Sequence, residues 1–497
     1  MRNILESIDR SELQGMMPSV PCVPRVRMMA RSDTPDCWVM MGGAPLPGIV
    51  PPDVVEVAAI LQQQAGESLV TGPVVTPASR WVAFVNPKVG GNAGNSTCVR
   101  GHAALARKLR SLSLKAVVVG AQALPPDIVD AQIQGLRLGW YSYPTPATMD
   151  PPEILVPAFQ ERTPEALEES ELFTQATTFA RLWTEEPPNR LTPMAFAHMA
   201  AQLGRKVGLS VEVLDVDQIR EIRMGGVLAV GQGSMNAPAV VKLQYLPELR
   251  PRFGIVGKGV TFDSGGISLK PSDNLRKLKG DKAGASAVLA ASLAAAQMGI
   301  STPFVAILPL AENMPSSSAY RPGDVVTMFD GTTVEIVSTD AEGRLLLADG
   351  MSLAMRENCE HTFTVATLTR ASMIALGNFR AALYSGNDEL ADQISKAADF
   401  TGELVWRMPL DEDYALSLRS AVADLMNSAD SPNGGSIVAA KFLQRFSKGR
   451  SWAHLDMSPI FYLDNEMPWG DKGYTGAGAR LVLALLAGRG AAVPTRE

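Results

Sequence analysis

The chain has 497 residues, enough for two or more domains on the usual 100–200 residues per domain. Hydrophobic residues make up 46% and charged residues 19%, the balance of a soluble globular protein. A net charge of −6 disfavours a non-specific nucleic-acid binder, and no apolar run reaches the ~20 residues that span a bilayer.

The N-terminal stretch Met1 to Ser32 mixes arginines with Glu6, Asp9 and Glu12 and has no apolar core, so a secretory leader is not expected. Its acidic residues also argue against a mitochondrial transit peptide, and a cytoplasmic location is expected, with a mitochondrial one as the alternative. Short apolar runs at Trp38–Met41, Trp81–Val85 and Ala116–Val119 read as strands between Pro/Gly-rich loops at Gly43–Pro52 and Gly90–Ser96. Residues 1–165 therefore read as a small α/β domain. A helical stretch from Glu165 to Trp183 follows, and 166–190 reads as a linker helix. From 191 to 497, helices at Pro193–Val207, Ala283–Met298 and Leu345–Met355 alternate with apolar strands. The strands are Val227–Val230, Gly254–Val256, Val305–Leu308 and Phe363–Leu368. That alternation predicts a larger C-terminal α/β domain with a mostly parallel central sheet flanked by helices, and ligands beyond the carboxyl ends of its strands.

The four cysteines form no CxxC pair and none has a histidine at zinc spacing, which fits buried thiols in a reducing compartment. The four histidines are scattered, and His454 reads as a structural residue of a strand.

Chemistry concentrates in two segments. In Ser338-Thr339-Asp340-Ala341-Glu342-Gly343-Arg344, an extended backbone would aim Asp340, Glu342 and Arg344 to one side. Two such carboxylates repel unless a cation sits between them, and a divalent metal suits hard oxygen ligands. A solvated turn with a local Asp/Arg pair is the plainer alternative. The second segment, Gly254 to Lys270, reads as a buried strand entering a glycine-rich loop, with Lys258 and Lys270 flanking Asp263. Burial lowers a lysine pKa, and a neutral amine can ligate a metal. Asp281 stands just before the helix at 283–298, where it could instead be an N-cap beside two surface lysines. A P-loop is excluded because Gly259 follows Lys258 and the upstream glycine spacing is wrong.

The strings VGKGVTFDSGGISLK and STDAEGRLLLADG resemble the signatures of the leucyl aminopeptidase family of two-metal exopeptidases. AVGQGS (229–234), ENMPSSSAYRPGDVV (312–326), VATLT (365–369), TGELVWRMPL (401–410) and WAHLD (452–456) match in order, so the resemblance covers residues 175 to 490. It implies a tightly held metal at Lys258, Asp263, Asp281 and Glu342. A second, exchangeable metal is implied at Asp263, Asp340 and Glu342, with the Asp340 carbonyl assisting. It also implies Lys270 and Arg344 as the catalytic pair. The implied reaction is release of the N-terminal residue of short peptides by a hydroxide between two divalent ions, zinc or manganese. Lys270 would steady the oxyanion and Arg344 would hold a bicarbonate that shuttles the proton. A homohexamer with inward-facing sites is implied as well.

Departures from the family pattern gather near the site. Ser338 replaces an asparagine, Lys282 follows Asp281 where methionine is usual, and Arg370 replaces a glycine of the substrate loop. Leu278 stands where the family often has methionine, and Asp456-Met457-Ser458-Pro459 replaces Asp-Ile-Ala-Gly. They support an alternative in which the chain is a catalytically weakened relative serving as a structural subunit of an assembly.

Overall fold

The computed structural model describes residues 24–489, apart from 30–32, 34, 42–49, 65–69, 77–80, 86–94, 113, 120–123, 144–150, 157–163 and 468–469. The leader reading at 1–32 falls almost wholly outside the described residues, as do most of the loops read at 43–52 and 90–96.

The N-terminal domain is built from β1 (Val26–Met28), β2 (Cys37–Met40), α1 (Pro52–Gln64), β3 (Val70–Val75), β4 (Trp81–Val85), α2 (Asn95–Leu109), β5 (Ala116–Val118), α3 (Pro126–Trp140) and β6 (Glu153–Val156). Its six strands run β1-β6-β5-β2-β4-β3, all parallel except the β3–β4 edge pair. The central strand β2, Cys-Trp-Val-Met, is buried along its whole length because helices cover both faces.

The chain then enters α4 (Pro164–Glu185), whose Phe173, Phe179 and Trp183 are buried in the core of the second domain. Next come α5 (Pro193–Lys206), β7 (Ser210–Leu214), α6 (Val216–Glu221), α7 (Gly225–Gly231), β8 (Ala239–Tyr245), β9 (Phe253–Gly257), β10 (Gly259–Asp263), α8 (Ala283–Met298) and β11 (Phe304–Asn313). They are followed by β12 (Val325–Thr327), β13 (Thr333–Glu335), α9 (Gly343–Arg356), β14 (His361–Ala366), α10 (Arg370–Leu376), β15 (Ala381–Ser385), α11 (Asp388–Thr401), β16 (Val405–Arg407), β17 (Leu425–Met426), α12 (Gly435–Phe446), β18 (Trp452–Asp456) and α13 (Ala479–Leu486). The large sheet runs β16-β15-β18-β14-β9-β11-β8-β7, with β10 beside the end of β11. Its centre, β18-β14-β9-β11, is parallel, and antiparallel pairing is confined to β15, β8 and β7. Apolar faces of α4, α5, α8, α11 and α13 cover one side, and those of α7, α9 and α12 cover the other. The fold class expected from the alternation of helices and strands is the one observed.

One strand reading fails. Val227–Val230 lies in α7, not in a strand. Asp349 in the middle of α9 takes the Val227 N–H (3.0 Å), and Val227 and Val230 pack against α9. A four-residue apolar run has no periodicity of its own, and here a helix buries it as completely as a strand would.

Candidate metal centre

Every chemically notable side chain of the two segments lies at the carboxyl ends of the central parallel strands. Lys258 follows β9, its N–H bonded to Val365 O of β14 (3.0 Å) and its carbonyl to Ala285 N of α8 (2.8 Å). That close approach requires Gly284, since a Cβ there would collide with Val365 O and sit 3.0 Å from Lys258 N. Asp263 ends β10 opposite Asn313, the last residue of β11. Asp281 ends the 3₁₀ turn Ser272–Gly280, and Glu342 caps α9.

Six groups meet there. Lys258 Nζ lies 2.7 Å from Asp281 Oδ2, 2.8 Å from Glu342 Oε1 and 3.0 Å from Thr367 O. Lys270 Nζ lies 2.8 Å from Asp263 Oδ2 and also pairs with Asp340. Asp263, Asp340 and Glu342 present oxygen atoms that all lie within 4.8 Å of one another. Asp263, Asp281 and Glu342 are buried, whereas Asp340 opens to solvent.

Four carboxylates face two ammonium groups, and their acidities record the crowding. Burial, then the Glu342 charge, pushes Asp340 up to about 6 and raises Asp263. Burial raises Asp281 well above the carboxylate range despite Lys258. Glu342 is held low, because Lys258 and Lys270 together outweigh the burial that would raise it. Such a set is short of positive charge, and hard oxygen donors with one lysine amine are a ligand set that a divalent ion accepts. The residues present therefore fit a metal.

The predicted extended geometry of Asp340, Glu342 and Arg344 is not observed. Asp340 sits in a turn, Glu342 is the cap of α9, and Arg344 lies inside the first helical turn. Arg344 is buried, with Nη1 donating to Asn427 O (2.6 Å) and Nε without a partner among the described residues. Burial draws its guanidinium down to about 10. Asp281 does not cap α8, since Lys282 occupies that position. Lys258 is not a surface lysine, and its neighbouring carboxylates keep it charged, reversing the downward shift expected from burial alone.

Several residues that hold the site carried no chemical signature. Asn313 Nδ2 donates to Asp263 Oδ1 (2.8 Å) and Thr339 O (3.0 Å). Thr367 Oγ1 donates to Asp281 Oδ1 (2.7 Å), and Tyr320 OH to Thr339 O (2.8 Å). Asn427 accepts from Val337 N (2.8 Å) and donates to Ser338 O (2.7 Å), clamping the turn from 89 residues away. Asn313, Tyr320 and Thr367 sit in matching strings of the sequence, but Asn427 sits in none.

The departures are placed as follows. Ser338 Oγ accepts the Asp340 N–H (3.2 Å), the bond a short polar side chain makes in such a turn. Lys282 is wholly buried, and its Nζ donates to Glu186 O (2.9 Å) and Lys279 O rather than pairing with Asp281. Arg370 is the exposed first residue of α10, in a helical backbone that any residue adopts. Ser458 donates to Asp456 Oδ1 (2.7 Å) and accepts the Thr369 N–H (3.2 Å), tying the loop after β14 to the end of β18. His454 is buried beside Thr364 and touches none of the six groups, consistent with its structural reading.

Residues 178–483 match the family model described as the cytosol aminopeptidase family, catalytic domain. A probable cytosol aminopeptidase of Solibacter usitatus (strain Ellin6076) is 38% identical over 387 residues, 76% of this chain and 80% of that protein. One from Geobacter sulfurreducens (strain ATCC 51573 / DSM 12127 / PCA) is 38% identical over 414 residues, 80% of this chain and 83% of that protein. Among solved structures, the bottromycin maturation enzyme BotP is similar with a TM-score of 0.79 at 34% identity, covering 91% of this chain and 99% of that one. Its complex with Mn matches equally well, with a TM-score of 0.79 at 33% identity over the same shares of both chains. A family model matched over residues 178–483 and relatives 38% identical over about three-quarters of the chain show that the chain belongs to the cytosol aminopeptidase family.

Proposed function

We propose that the protein is a metal-dependent aminopeptidase that removes the N-terminal residue of short peptides. The observation that carries this reading is the convergence of Asp263, Asp340 and Glu342, with ligand oxygens within 4.8 Å of one another beside two lysines. Lys258, Asp263, Asp281 and Glu342 would hold one ion, and Asp263, Asp340 and Glu342 the other, with Asp263 and Glu342 shared. Two divalent ions there supply Lewis acidity and a water whose pKa falls toward neutrality. Manganese or zinc suits the donor set, and the Mn complex of the related BotP favours trying manganese first.

The chain's own groups have separable tasks. Lys270, partly open to solvent beside Asp340, can donate to the oxygen that becomes negative as the carbonyl is attacked. Arg344 is anchored by the Asn427 carbonyl and its Nε has no partner among the described residues, so it can orient an oxyanion such as bicarbonate near Asp340 and Glu342. Asn313 and Thr367 hold Asp263 and Asp281 in place, so little reorganisation accompanies loading. Assembly as a homohexamer and a cytoplasmic location complete the reading. No helix among the described residues is long and apolar enough to cross a membrane.

The test is release of a chromophore from aminoacyl anilides by metal-depleted protein after addition of Mn or Zn. Turnover that appears with metal and disappears in Glu342→Gln supports the reading. A fully loaded protein that turns over no aminoacyl substrate overturns it and leaves the weakened, structural relative.

A further inference from the structure

Asp281 reaches the carboxylate cluster from the 3₁₀ turn Ser272–Gly280, so whatever fixes that turn fixes the carboxylate. The turn holds Asp281 loosely by itself, since the Asp281 N–H meets Leu278 O at 3.3 Å. Two other elements grip it. On one side the end of α4 receives it: Lys279 Nζ lies 3.0 Å from Glu185 Oε1, and Lys282 Nζ donates to Glu186 O (2.9 Å). On the other side a hairpin of two short strands, Tyr462–Leu463 and Gly473–Tyr474, lays Tyr474 against the turn. The Tyr474 hydroxyl donates to Lys277 O (2.9 Å). Its ring presses on Gly280, the residue before Asp281, so closely that a Cβ there would overlap the ring. Lys277 also pairs with Asp464 and lies 5.0 Å over the Tyr462 ring.

A ring can hold a turn only if the ring is itself held. Tyr474 is 4% exposed and packs edge-on against Tyr462, with ring centroids 5.0 Å apart. Its carbonyl accepts from Arg181 Nε of α4 (3.1 Å). Thr475 closes the base of the hairpin, donating from N to Phe461 O (3.0 Å) and from Oγ1 to Ile460 O (2.6 Å). The segment between the two strands is tied to α2 of the N-terminal domain. Asp471 lies 2.5 Å from Arg110 Nη2 and 3.5 Å from Arg107 Nε, and Arg107 Nη2 donates to Met467 O (2.7 Å).

We propose that Tyr474 is a positioning residue for Asp281, a role that rests on the metal-binding reading of the cluster. The ring bars Gly280 from moving toward the hairpin, and the hydroxyl fixes the Lys277 carbonyl. The Asp281 carboxylate then meets Lys258 and Thr367 in one orientation. Groups that orient a metal ligand set affinity by about 10–100-fold.

The experiment is calorimetric titration of the metal-depleted full chain with manganese chloride, with circular dichroism and urea unfolding of each variant. Asp281→Asn identifies the binding step that depends on this carboxylate. In Tyr474→Ala that step should weaken at least about tenfold and the other by less than about threefold. Tyr474→Phe keeps the ring and should stay within about threefold of the parent. Gly280→Ala should weaken the same step at least about tenfold, but by less than about twofold when added to Tyr474→Ala, because both changes act on one contact. Phe446→Leu, a core truncation in α12 on the other face of the sheet, shows what loss of stability alone does to the two steps. Parent-like binding in Tyr474→Ala, equal weakening of both steps as in Phe446→Leu, or additive effects of the two changes overturn the proposal and leave the metal reading standing. If Tyr474→Ala does not fold, parent-like binding in Gly280→Ala overturns it in the same way. A parent chain that binds no manganese overturns both.

Discussion

Replacing Gly343 by alanine separates what helix propensity predicts from what the packing dictates. Gly343 is the first residue of α9 and has no positive φ, so propensity alone favours alanine by about 0.5–1 kcal/mol. A Cβ there would lie 2.6 Å from Nζ and 2.7 Å from Cδ of Lys258. A surface lysine would swing away at little cost. Lys258 is 3% exposed and tethered by Asp281, Glu342 and Thr367 O, so it has nowhere to go without breaking those contacts. Overpacking of this kind costs about 1–3 kcal/mol, which leaves a net destabilisation of about 1–2 kcal/mol. Gly435, the first residue of α12, is the control: its Cβ would meet only Ala371 Cβ at 3.5 Å, an ordinary contact. Urea unfolding of Gly343→Ala and Gly435→Ala should therefore shift the midpoint in opposite directions. Metal affinity should fall only in the first. A Gly343→Ala protein as stable as the parent, with unchanged metal binding, would refute the claim that Lys258 is held rigidly among the carboxylates.

Glu342→Gln should eliminate metal binding measured by calorimetry as well as turnover, because it removes the carboxylate proposed to serve both ions and one of the two carboxylates paired with Lys258. Asn427→Ala leaves the Val337 N–H and the Ser338 carbonyl without their partner while the backbone carbonyl that Arg344 binds stays in place; about 1–3 kcal/mol of stability should be lost, with kcat falling more than KM changes because the turn carrying Asp340 and Glu342 loosens. Lys282→Met should leave metal-loaded activity intact, since the Lys282 ammonium is bound to backbone carbonyls away from Asp281; a large drop in kcat would contradict that placement. His102 and His454 are each drawn down to about 4 by burial, from the usual 6.5. Between those values the unfolded chain binds protons that the native one does not. Stability should thus fall as pH drops through the window, by up to about 1.4 kcal/mol per pH unit for each histidine. Unfolding midpoints at pH 6.5, 5.5 and 4.5 test this, and His454→Gln should flatten the dependence.

Residue types and spacing singled out Lys258, Asp263, Lys270, Asp281, Asp340, Glu342 and Arg344 as charged groups in apolar and glycine surroundings, but they left a solvated turn, an N-cap and surface lysines open, and the resemblance to the leucyl aminopeptidase family is what joined the seven into one site. Long alternating elements such as α8 and β11 were legible because their periodicity or apolar length leaves few alternatives. Folding alone decided what those residues do to one another. The turn from Ser338 to Arg344 is a helix cap and not an extended ribbon, since α9 begins at Gly343 and Asn427 folds the preceding residues back. Lys282 looked like a cation beside a metal ligand until its four-carbon stem was seen to deliver the charge to Glu186 O. Val227–Val230 became helix because Asp349 and α9 supply its partners. Asn313 and Thr367 lie in matching strings and Asn427 in none, yet none of the three announces its partner locally, because a neutral hydrogen-bonding side chain acquires its meaning only from groups 50, 86 and 89 residues away. Local chemistry is written in short strings of sequence, whereas the partner of each polar group is set by which strand ends the sheet brings together.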